Sequence, residues 1–80
     1  MTVREHMTFN RRAWLYTLNQ GPAVSSSRVG FDCMRLGWTE WHKTSEGEPI
    51  LDERGRCLER ITEAGQNALV ENMTNAALDA

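Results

Sequence analysis

The chain has 80 residues, 40% hydrophobic and 25% charged, with a formal net charge of −2. A single domain of this size buries only about 60% of the surface that its unfolded chain exposes, so either a monomer leaning on a partner or a homodimer is expected. No apolar run approaches the roughly 18 residues of a membrane span, Met1 to His6 lack the apolar stretch of a signal peptide, and Cys33 and Cys57 are too few for a disulfide framework. The expectation is a cytoplasmic protein with free thiols and no membrane contact.

Charge divides along the chain. Residues 1–37 hold five arginines against Glu5 and Asp32, a balance of +3, whereas residues 38–80 hold four cations against nine carboxylates, a balance of −5. Asymmetry of this kind marks a polar binding surface or arises by chance.

Thr8 reads as the N-cap of a first helix over 9–20, with Trp14, Leu15 and Leu18 as its dense apolar stripe. Residues 1–7 then form a loose tail, although Thr2-Val3-Arg4-Glu5 also has the form of a capping box. Gly21 supplies a left-handed C-cap and Pro22 forbids continuation. Arg11 and Arg12 near the start of this helix oppose its dipole, which hints at a use other than stability.

Ser25, Ser26 and Ser27 offer the N-cap of a second helix over 26–36, stopped by Gly37. Val29, Cys33 and Leu36 share its core face, while Phe31 and Met34 fall on the far side, either under a second layer or against a partner. Trp38 to Lys43 reads as a strand whose alternation sends Trp38 and Trp41 to opposite faces. Thr44 to Arg56 is a charged loop with turn signals at Glu46-Gly47-Glu48-Pro49 and Asp52-Glu53-Arg54-Gly55, expected to be mobile. Cys57 to Ile61 returns as a second strand, with Cys57, Glu59 and Ile61 on one side. Thr62 caps a third helix whose inner stripe is Gly65, Leu69, Met73 and Ala76, with Gly65 suited to close backbone approach. Residues 77–80 are expected to fray.

Gly37-Trp38-Thr39-Glu40-Trp41, the charged loop, and Arg60-Ile61-Thr62-Glu63-Ala64-Gly65 resemble the wing and following helix of winged-helix proteins, of the MarR/PadR-like kind. In that family a helix ends at glycine, a strand follows, and the return strand enters a helix through Leu-Thr-x-x-Gly. The resemblance implies an α+β domain with three helices and a two-stranded wing. Its helix–helix–strand–strand–helix order is abbreviated, as in small phage or prophage proteins, because residues 21–37 leave room for one helix where the family has two. It also implies binding to nucleic acid in a regulatory role. The candidate contacts are Arg11, Arg12, Arg28 and Arg35, with Ser26 at a helix N-terminus able to donate to phosphate.

A second reading comes from the same residues. Glu46, Glu48, Asp52 and Glu53 make the wing acidic where DNA-binding wings are basic, and with Phe31, Met34 and Trp41 they would suit a protein partner. That describes a phage-type inhibitor of a host protein, for example of the anti-CRISPR kind. Trp38 and Trp41 could also stack on bases, though one core and one edge-shielding tryptophan is the plainer expectation. His6, Cys33, His42 and Cys57 lack the short spacings of a zinc site. Cys33 with His42 is a conceivable nucleophile and base, but a domain this small has little room for a pocket, so neither enzyme activity nor a cofactor is expected.

Overall fold

The computed structural model describes residues 3–25 and 28–79. The chain runs α1 (Val3–His6), α2 (Phe9–Asn19), β1 (Ala23–Val24), α3 (Arg28–Arg35), β2 (Thr39–Trp41), β3 (Leu58–Ile61) and α4 (Glu63–Asp79). It is a small α+β domain: three helices of two turns or more, a single-turn helix, and a three-stranded antiparallel sheet in the order β1-β3-β2.

The helix ends follow the capping chemistry of their sequences. The Thr8 hydroxyl accepts from the Arg11 amide at 3.2 Å and opens α2. At the end of α3, the Trp38 amide donates to the Cys33 carbonyl (3.0 Å) and the Gly37 amide to that of Met34 (3.0 Å). This paired closure needs a left-handed residue, and Gly37 supplies it with φ +80°. At α4 the Thr62 hydroxyl accepts from the Gly65 amide (3.0 Å) while donating to the Gly37 carbonyl (2.7 Å). One threonine therefore starts α4 and ties it to the end of α3.

Leu15, Cys33, Trp38, Ala68 and Leu69 form the core, and Val3, Met7, Trp14, Val29, Leu36 and Ile61 pack around it. The expected core face of α3 is the observed one, as is the close approach at Gly65, where a Cβ would overlap the Trp38 carbonyl oxygen. Five expectations change. The tail over 1–7 contains a helical turn, and Val3 and Met7 pack against the core. The wing's two strands gain a third, because Ala23 and Val24 pair with Glu59 and Leu58. Met73 lies outside the inner stripe of α4, 55% exposed, with Ala68 buried in its place. Helix α4 continues to Asp79 rather than stopping near Ala76.

The fifth change is the largest. Residues 44–56 are two tight turns joined by a short pairing segment, not one open loop. Lys43 bridges to Pro49 and Leu51 to Cys57, while the Ile50 amide donates to the His42 carbonyl at 3.0 Å. The first turn closes from the Gly47 amide to the Thr44 carbonyl, two residues before the expected signal; the second closes from Gly55 to Asp52, as expected.

Candidate functional site

The outer side of α3 presents Arg28, Phe31 and Arg35, spaced three and four residues apart and therefore on one ridge. Phe31 is 52% exposed and meets Trp41 of β2 edge-on, ring centroids 6.1 Å apart and planes at 78°. Alternation does separate the tryptophans: Trp38 enters the core and Trp41 lies half-buried against Phe31. Met34 is half-buried beside this ridge.

The other arginines do not join it. Arg11 donates to the His6 carbonyl at 2.6 Å and pairs with Asp32 at 3.5 Å, so it braces α1 and α3 against α2. Asp32 also lies 3.8 Å from Arg35, whose side chain is 80% exposed. Arg12 points elsewhere, its guanidinium 5.7 Å from the centre of the Phe9 ring. Ser26 lies outside the described residues. Of the four candidate arginines, only Arg28 and Arg35 thus share one face.

On the wing, Glu46, Glu48 and Glu53 are exposed. Asp52 is not equivalent to them. Its carboxylate accepts from the Arg54 amide (2.9 Å), the Arg56 amide (2.7 Å) and Arg56 Nε (2.8 Å), which makes it the anchor of the second turn. Those bonds, the Arg56 amide foremost, hold its pKa below the ordinary aspartate value.

A buried polar centre went unrecognised in the sequence. Glu59, fully buried in the middle strand, accepts from Trp14 Nε1 at 3.0 Å through Oε2, while Oε1 has no hydrogen-bond partner among the described residues. Oε1 lies 2.6 Å from where a Cβ on Gly30 would sit, and Ser25 Oγ crowds the same point. A larger residue there would force the Ser25 and Glu59 side chains to move. The signal was present, since alternation had put Glu59 on the same side as core-facing Ile61. Burial first, and the Glu59 charge second, push the neighbouring Cys33 thiol up to about 11. It is therefore protonated and unreactive at neutral pH. Cys57 is exposed at the foot of the wing. Among the described residues no group of three or more His, Cys, Asp or Glu is placed to hold a metal ion, and no helix is long and apolar enough to cross a membrane.

No protein-family model matches the chain, and no curated protein or solved structure matches it either.

Proposed function

We propose that this chain is a nucleic-acid-binding protein of abbreviated winged-helix plan, in which the outer ridge of α3 meets the ligand. The observation that carries the reading is the placement of Arg28 and Arg35 on either side of the exposed Phe31, which meets the half-buried Trp41 edge-on. Guanidinium groups so placed can neutralise phosphates, and exposed aromatic rings can pack on bases or sugars. The order of elements supports it as well, because α3 directly precedes the ribbon of β2 and β3, as the recognition helix precedes the wing in the winged-helix plan. The three free carboxylates at the wing tip would keep the tip away from phosphate, so α3 acts without it.

The test is fluorescence anisotropy with labelled duplex and single-stranded oligonucleotides. Two phosphate contacts predict an affinity loss of roughly tenfold between about 50 and about 200 mM salt. Arg28→Glu with Arg35→Glu should abolish binding and leave the melting temperature unchanged, since Arg28 makes no described contact and Arg35 only a long, exposed one. Absence of binding to either oligonucleotide at low salt would remove the proposal.

A second reading rests on the wing. Glu46, Glu48 and Glu53 project from hydrogen-bonded turns rather than from a floppy loop. A preorganised acidic tip loses little entropy on meeting a basic protein surface, as an inhibitor of a host protein would require.

A further inference from the structure

Away from the α3 ridge, an open trough runs between α2 and α4. Its main cavity, about 470 Å³, is lined chiefly by Phe9, Arg12, Ala13, Tyr16, Leu69 and Met73. A second cavity of about 250 Å³ shares Phe9 and Arg12 and extends past Met7, Thr8 and Asn72. Along α2 alone, Phe9 to Thr17 spans about 12 Å at 1.5 Å per residue. The space is long and open rather than deep. Phe9, Tyr16 and Met73 are 75%, 58% and 55% exposed, and Val70, 63% exposed, precedes Met73 by one turn. Three of the six large exposed hydrophobics among the described residues, Phe9, Tyr16 and Met73, thus line this one trough.

Its polar groups indicate the charge of the occupant. Arg11, Arg35, Arg56 and Arg60 each meet a carboxylate. Arg12 is half-buried and meets none among the described residues; only the Phe9 ring lies under it. It stands at the junction of the two cavities. Asn72, beside it, has a buried Oδ1 with no hydrogen-bond partner among the described residues. A half-buried guanidinium with no anion among the described residues is free to donate a charge-assisted hydrogen bond to an incoming carboxylate.

We propose that this trough docks an amphipathic helix of a protein partner, with apolar side chains at i, i+3 or i+4, and i+7 against Phe9, Tyr16 and Met73, and a flanking carboxylate on Arg12. Two helices bordering an elongated apolar channel present the shape that receives a third helix.

The test is a selection against the intact chain from a displayed library of helix-forming peptides of about 20 residues. Enriched peptides should carry the apolar spacing with Glu or Asp beside it. Arg12→Glu should weaken them by roughly tenfold or more, and changing the peptide acid to Lys should restore binding to that variant. Met73→Lys should abolish binding to both. Arg12→Glu places an acid in the first turn of α2, where the dipole favours it, so the fold should survive. Arg28→Glu with Arg35→Glu should leave peptide affinity unchanged, which separates this site from the α3 ridge. The proposal fails if nothing is enriched, or if the selected peptides ignore both trough substitutions. It also fails if sedimentation equilibrium shows a dimer that Met73→Lys dissociates, because the trough would then hold a second copy of the chain.

Discussion

At Glu59 a fully buried side chain carries a carboxyl group into the centre of the sheet, opposite Ala23 on one flank and Trp41 on the other. No described cation pairs with it. Its compensations are the Trp14 indole N–H and the first turn of α3, whose amide dipoles favour negative charge beside Gly30. Glu59→Gln keeps an acceptor for Trp14 and places an amide donor within reach of Ser25, so unfolding in urea should show equal or greater stability. Glu59→Ala leaves the indole unpaired beside a void and should cost about 2–4 kcal/mol. A Gln variant as unstable as the Ala variant would show that the charge itself holds the fold. Cys33 gives the same centre a pH signature. Below its ordinary value of 9.0 the thiol is protonated whether folded or not, and it contributes no pH dependence. Above 9.0 the unfolded chain loses that proton while the folded thiol holds it to about 11, so stability should fall across this window. Melts at pH 8 and pH 11 should show a smaller loss in Cys33→Ala, and equal losses would place the thiol in contact with water.

At the scale of elements, what could be read from the sequence and what could not divide on physical grounds. Capping is local, so Thr8, Gly37 and Thr62 identify their helix ends without knowledge of the fold. The core face of α3 is legible because Val29, Cys33 and Leu36 keep a helical period. The inner stripe of α4 is misread because steps of four advance about 40° each around a helix of 3.6 residues per turn. By Met73 the row from Gly65 through Leu69 has turned out toward solvent. Strand β1 is two residues long and carries no period; it exists because β3 has a free edge beside it. The wing is misread because its pairing segments are one or two residues long and carry no alternation, with His42 and Lys43 meeting Pro49 and Ile50 across the first turn. The candidate site fares similarly. Phe31 and Trp41 do come together, but no pattern of charges along a chain reveals that Arg11 is committed to Asp32 and the His6 carbonyl.

For the whole molecule, the question is which of two charged regions meets the partner, the basic α3 ridge or the acidic wing. Glu46, Glu48 and Glu53 are exposed, and their side chains make no described hydrogen bond or ion pair. Asp52 is excluded from any test of wing charge, because losing its three bonds would open the second turn and confound the result. Changing the three glutamates to Gln shifts the net charge from −2 to +1 and touches no packing. The melting temperature should therefore stay nearly constant under either reading. If α3 binds nucleic acid, the variant should bind more tightly, and most visibly at low salt, because a repulsive field near the phosphates has been removed. If the wing instead meets a basic host surface, association with that protein should slow, with little change in dissociation, since exposed charges act mainly on encounter. The two readings thus predict opposite signs from one triple substitution. Tighter oligonucleotide binding without any host-protein complex to lose would leave the α3 ridge as the working surface and the acidic wing as a device that limits its affinity.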